Sequence, residues 1–275
     1  MRRVLLAFLL LWGAAERVLL AQSSTVAETL STIQRRIVDA YFRGEVDAFR
    51  REIGPLKARL NERPFRDDWH TWYYLAFLSN QLGWHYLSTQ HRNEDLAGHY
   101  LEEAQRYAEE ANKRQEHAVN YLLLASAASG RLGLSSPLKA PLLGRKAKEY
   151  NDRAFQQDPD NPQVLLSVAM FKLFAPGLFG GDRNEARRLL LRMAEVARTY
   201  RPQDPLILPL GTEAEAYAYL ALLEAMEENP EAARTYAQHA LALRPDYAFP
   251  KRLLAELDRR VMERTDSPAG STTDR

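Results

Sequence analysis

Five of the chain's six histidines, His70, His85, His91, His99 and His117, crowd between positions 70 and 117. Histidine is the common nitrogen donor to transition metals, so a metal centre is the first chemistry to test. A helix presents two ligands side by side when they stand four residues apart. No two of these histidines do, and no H-E-x-x-H occurs. His91 with Glu94 or Asp95 is the densest local set, and no metal is expected on that count.

The stretch from Ala175 to Ala186, APGLFGGDRNEA, invites a second chemistry. A glycine pair ahead of a helix can cradle an anion on backbone N–H groups. Here Asp182 would repel it, and no Lys or Ser/Thr follows as in a phosphate loop. A structural reading fits better: Gly180-Gly181 permit positive φ, Phe179 tucks under the turn, and Asp182 with Glu185 forms a reciprocal cap. Catalysis finds no footing either. The chain has no nucleophile elbow, phosphate loop or dinucleotide fingerprint. It contains no cysteine, so thiol chemistry, disulfides and cysteine-bound metals are out. Carboxylates alternate with Arg and Lys along helical faces, the pattern of a solvated surface. No catalytic residue and no cofactor is assigned.

What must position these residues is a series of amphipathic helices. Ala214 to Asp246 contains two helical runs meeting at Asn229-Pro230, with Pro245 closing the unit. Tyr217, Leu220 and Ala221 share one face of the first run; Ala233, Ala237 and Ala240 share one face of the second. Small residues on that second face let two antiparallel helices come close. Asn229 suits an N-cap, with Pro230 at the first helical position, where its missing N–H costs nothing. Asn161-Pro162 and the Thr212/Glu215 pair open two more helices.

The same two faces recur up the chain. WYYLA (72–76), YLLLA (121–125) and LLSVA (165–169) precede YAYLA (217–221) as first-helix faces. Ala97/Leu101/Ala104, Ala147/Asn151/Ala154 and Ala186/Leu190/Met193 precede Ala233/Ala237/Ala240 as second-helix faces. A looser pair covers roughly 26–42 and 45–61, turning at Gly44. Strand signals are absent, so the sequence predicts one all-α domain over residues 22–264.

This pattern resembles the tetratricopeptide repeat (TPR), a helix-turn-helix unit of about 34 residues. Proline followed by F-G-G-D inside a repeat turn, Pro176 and Phe179 to Asp182 here, resembles a subgroup of exported bacterial TPR proteins of unassigned role. The spacing is wider than the family's: the first faces start at 72, 121, 165 and 217. The resemblance implies a right-handed α-α superhelix, a solenoid of about five helical hairpins plus a charged C-terminal capping helix from Tyr247 to Arg264. It also implies a concave wall lined by first helices. Matched position by position, that wall carries Tyr73, Phe77, Asn80 and Trp84, then Leu122 and Ser126, then Leu166, Met170 and Leu173, then Ala218 and Leu222. Asn80 alone among them suits clamping of a peptide carboxylate, so the wall reads as apolar and aromatic. Either it receives an apolar segment or the chain's own helices fill it. Trp72, beside Leu75 and Ala76, takes the packed position.

The implied function is non-catalytic: a scaffold or adaptor holding a protein or peptide segment on its concave surface. The alternative is a carrier of an apolar small ligand, an accessory to a solute transporter.

The ends of the chain are of another kind. Arg2-Arg3 precede an apolar run from Val4 to Ala15, and a small residue, Ala21, follows before Gln22. That order describes a cleavable secretory signal over residues 1–21, with Ala15 as a second cleavage candidate. Glu16-Arg17 interrupt the run well short of the roughly 20 residues a spanning helix needs, so no integral membrane segment is expected in the mature chain. Residues 265–275, TDSPAGSTTDR, read as a disordered tail. Three arginines and one glutamate leave with the signal from 37 basic and 36 acidic residues, so the formal charge falls from +1 to −1. Basic pairs sit among acidic neighbours, and neither a nucleic-acid surface nor a polybasic membrane surface is expected. An exported chain should begin at or near Gln22, which mass spectrometry of protein from its native envelope reads directly; an intact Met1 on cytoplasmic material would end the export reading.

Overall fold

The computed structural model describes residues 25–266. Among them are twelve α-helices and no strand, so the fold is all-α, as the faces predict. The helices are α1 (25–43), α2 (Val46–Ala58), α3 (Arg63–Asp67), α4 (Trp69–Leu87), α5 (Glu94–Arg114) and α6 (Ala118–Leu132). Then follow α7 (Ala140–Gln157), α8 (Pro162–Phe174), α9 (Arg183–Val196), α10 (Glu213–Met226), α11 (Pro230–Leu243) and α12 (Ala248–Asp266). From α3 onward each helix packs on the next, most extensively in the pairs α4/α5, α6/α7, α8/α9 and α10/α11, and α2 packs on α4. The signal reading over residues 1–21 falls outside the described residues. Of the expected tail, Thr265 and Asp266 belong to α12, and the rest lies outside them too.

Small residues set how close the pairs come. Ala97, Ala104, Ala108 and Ala111 on α5, Ala147 and Ala154 on α7, and Ala233, Ala237 and Ala240 on α11 are all fully buried. Leu101 is a large residue amid these alanines of α5, and it needs room on both sides. A Cβ on Gly83 of α4 would stand 2.7 Å from its Cγ, and one on Gly130 of α6 would stand 2.9 Å from its methyls. The two glycines therefore hold Leu101 as a wedge between neighbouring pairs. Charge finishes the seams: the buried Glu103 of α5 accepts from Lys57 of α2 at 2.8 Å, and the buried Glu224 of α10 pairs with Arg187 of α9.

Three of the four caps read from the sequence, Asn161, Asp182 and Thr212, cap their helices. Asp68, Asn93, Asn161 and Asp182 accept backbone N–H bonds at the heads of α4, α5, α8 and α9. Thr212 and Glu215 complete a reciprocal capping box on α10. Asn229 does not cap α11; its amide donates instead to the Glu224 carboxylate at 3.0 Å. That charge-assisted bond to a buried carboxylate holds the side chain, and its oxygen accepts nothing from the α11 N–H groups.

In the α8–α9 turn Gly180 takes φ +96°. Gly181 is required for a different reason: its Cβ would fall 1.7 Å from the Ala175 carbonyl oxygen. Phe179 does not tuck under this turn. It stays exposed beside Leu178, and the turn closes on bonds to backbone carbonyls: Asp182 N–H to Lys172 O at 2.8 Å and the Lys172 side-chain Nζ to Gly180 O at 3.0 Å.

The two ends of the stack meet. Phe42 of α1 packs edge-on against Tyr247, ring centres 5.1 Å apart, and the Arg244 guanidinium lies 3.8 Å over the Phe42 ring. Arg43–Asp246 and Arg244–Asp39, each 3.2 Å, flank that contact. Gly181→Val should cost about 1–3 kcal/mol or more, because its Cβ cannot sit against the Ala175 carbonyl unless the turn shifts, lowering Tm by several degrees. A thermal melt matching wild type would show that the turn has another conformation.

Candidate functional site

Residues 197–212, between α9 and α10, form no long helix, yet they decide what the inner wall can do. Ile207 and Leu208 are buried in the same core as Tyr73, Phe77 and Leu122. Side chains from three helices read the backbone of this segment. Gln34 Nε2 of α1 donates to the carbonyls of Pro205 (3.2 Å) and Ile207 (2.9 Å). The Tyr74 hydroxyl of α4 donates to Leu206 O at 3.0 Å, and the Tyr73 hydroxyl accepts from Leu208 N–H at 3.4 Å. Gln163 Nε2 of α8 donates to Leu208 O at 2.9 Å. Burial raises the pKa of both tyrosines, so each stays a neutral hydroxyl.

At the mouth of the segment His70 stands between two carboxylates, Nε2 to Asp204 Oδ2 at 2.7 Å and Nδ1 to Asp68 Oδ2 at 3.3 Å. Trp69 stacks on His70 (4.0 Å) on one hand and on His117 (5.3 Å) on the other. Burial opposes the charge on His70, but the bonds from Asp68 and Asp204 outweigh it and its pKa rises. His117 goes the other way, lowered by burial. Asp68 therefore serves twice, as the cap of α4 and as one jaw on His70. Sequence reasoning weighed His70 as a metal ligand and passed over its pairing with Asp204, 134 residues away. His85 and His91 stack at 4.4 Å. Among the described residues no group of three or more His, Asp or Glu side chains is arranged to hold a metal ion.

The wall positions divide accordingly. Tyr73 is 2% exposed because residues 206–208 cover it, so of the two alternatives for the wall the chain itself fills this part. Phe77 lies under Tyr41 of α1 and Phe49 of α2, ring centres 6.3 and 6.2 Å away. Asn80 and Leu122 are buried as well, and so are Leu173 and Ala218. None of these six is open to a partner, and Asn80 cannot clamp a carboxylate from outside. Trp72 departs in the opposite sense and is only half-buried. The short helix α3, which has no counterpart in the repeat pattern, supplies Arg66 O as acceptor for Trp72 Nε1 at 2.7 Å, and Arg114 covers the ring at 4.5 Å.

The positions left accessible are Trp84, Ser126, Leu166, Met170 and Leu222. Trp84 is 42% exposed. Its Nε1 donates to Ser126 Oγ at 2.9 Å, across from α4 to α6. Leu166 and Met170 on α8 and Leu222 on α10 are half-buried around the second core cluster. These accessible positions comprise one oriented indole with its hydroxyl partner and three apolar side chains, and none of them is ionisable.

No protein-family model matches this chain, and no curated protein matches it either.

Protonated His70 is favoured in the folded state over the unfolded one. Wild type should therefore hold its full stability margin over His70→Gln below the ordinary histidine value of about 6.5, and lose it as pH rises through the folded-state value. Paired thermal melts at about pH 5.5 and 8.5 check this, with His117 titrating in both proteins. A margin that grows with pH would mean that His70 is neutral where it sits.

Proposed function

We propose that the chain is an exported, non-catalytic scaffold that holds a segment of another protein against Trp84, Ser126, Leu166, Met170 and Leu222. The observation that carries this reading is Trp84 itself. A large aromatic ring is left nearly half exposed while Tyr73, Phe77 and Asn80 of the same helix are buried, and its indole N–H is held in one orientation by Ser126. Aromatic rings fixed in this way are the usual anchors of protein interfaces, and their burial supplies much of the binding energy. The resemblance to TPR proteins, whose first helices present the ligand-binding wall, supports the same placement. The absence of charge along the row favours an apolar stretch of partner over a terminal carboxylate. The interior a small-molecule carrier would use is occupied by Ile207 and Leu208, which favours the scaffold over the carrier. Export rests on the Arg2-Arg3 start, the apolar run and Ala21.

Site-specific photo-crosslinking in the native host tests the site. A photoreactive residue at position 84 should give a discrete protein adduct that the same residue at Gln157, exposed at the far end of α7, does not. An adduct of lipid or metabolite size would favour the carrier, and no adduct at all would remove the site. Stability separates the wall positions in parallel. Tyr73→Ala should cost about 3–5 kcal/mol by opening a cavity. Trp84→Ala should cost on the order of 1 kcal/mol or less while abolishing the adduct formed from a second probe at Met170. Equal melting of the two variants would make Trp84 core.

A further inference from the structure

The α6–α7 and α8–α9 turns hold apolar side chains out into solvent. Leu138, in the α6–α7 turn, is 93% exposed, and Leu178, in the α8–α9 turn, is 92% exposed. Leu142, Phe174 and Phe179 are exposed beside them. The α8–α9 turn comes up against α7: a Cβ on Gly180 would lie 3.9 Å from Cε of Lys148. Single exposed leucines need no explanation, but several on two protruding turns form a patch that soluble surfaces avoid.

Charge says what covers this patch. From His117 to Lys148 the chain has no Asp or Glu, although acids and bases balance overall. Lys139, Arg145 and Lys146 are exposed in this stretch. Lys148 pairs with Asp152 at 2.6 Å on the same helix, and Lys172 is engaged by Gly180 O. Arg183 is exposed on the neighbouring turn. The carboxylates facing this patch are Glu149 and Asp152 on α7 and Asp182 and Glu185 on α9; all but Asp182 are paired with Arg153, Lys148 and Arg188. Three unpaired cations flanking protruding leucines match the layout of an anionic bilayer surface, with apolar tips at acyl depth and cations at phosphate depth. A search for basic pairs in sequence passes over this patch, because its signal is the missing acids and the exposed leucines between them.

We propose that this patch docks the protein on an anionic lipid surface, Leu138 and Leu178 entering the interface and Lys139, Arg145 and Lys146 meeting lipid phosphates. The proposal is independent of the site around Trp84.

The absence of native cysteine gives a direct test on the full chain. An environment-sensitive fluorophore on Leu138→Cys or Leu178→Cys should blue-shift on vesicles of phosphatidylcholine with phosphatidylglycerol, but not on phosphatidylcholine alone. The same label on Gln157→Cys, roughly 20 Å along α7 from Leu142, should not respond. Each cation near such a surface is worth about fivefold in partitioning, so Lys139→Gln with Arg145→Gln and Lys146→Gln should weaken binding roughly 100-fold. High salt should do the same to wild type. Each label reports insertion at its own position, so attachment through another part of the chain leaves both silent, and silent labels on anionic vesicles overturn the proposal. Equal shifts on neutral vesicles, or full binding by the triple variant, overturn it as well.

Discussion

Tyr73 and Tyr74 stand side by side on α4 with their rings buried, and a buried hydroxyl without a partner is costly. Both find partners in one place, the backbone of residues 206–208. The requirement runs in both directions. A segment without regular secondary structure carries its own unpaired carbonyls and N–H groups, and here Gln34, Gln163 and the two tyrosines satisfy them. Each side makes the other's burial affordable. From that exchange follow the covering of Tyr73 and Tyr74 and the position of His70 at the mouth of the segment.

The helix pairs were legible in the sequence because their signal is local. Alanine at every third or fourth position marks a close helix approach wherever it occurs, and Ala97/Leu101/Ala104 and its three counterparts are buried largely as that periodicity predicts. The wall was legible as a face but not as a surface. Tyr73 and Phe77 do point inward, and what covers them comes from α1, α2 and residues 206–208, distant in sequence and without periodicity of their own. The segment's prolines, Pro202, Pro205 and Pro209, signal a break but not where the broken chain goes. Trp72 failed for a smaller reason. Five residues of α3 slip in ahead of α4 and offer a carbonyl to the indole, which draws the ring toward the surface.

Glu215 shows the same economy in the core of the last pair. It is fully buried and accepts bonds from Thr212 and from the Tyr41 hydroxyl of α1. Burial raises its pKa, with the Thr212 and Tyr41 bonds pulling the other way. One carboxylate thereby starts α10 and ties it to the first helix of the chain.

The meeting of α1 with Arg244, Asp246 and Tyr247 changes what kind of object this is. An open stack of helix pairs can gain or lose a terminal unit, fold from any point and fray from its ends, since each unit knows only its neighbours. Here Arg43 and Asp246, 203 residues apart, close the row on itself, so no unit is terminal in that sense. Such distant pairings raise the mean sequence separation of contacts and slow the search for the native state. In return the molecule loses its frayable ends: pairs that could melt one at a time in an open array are coupled into a single cooperative unit.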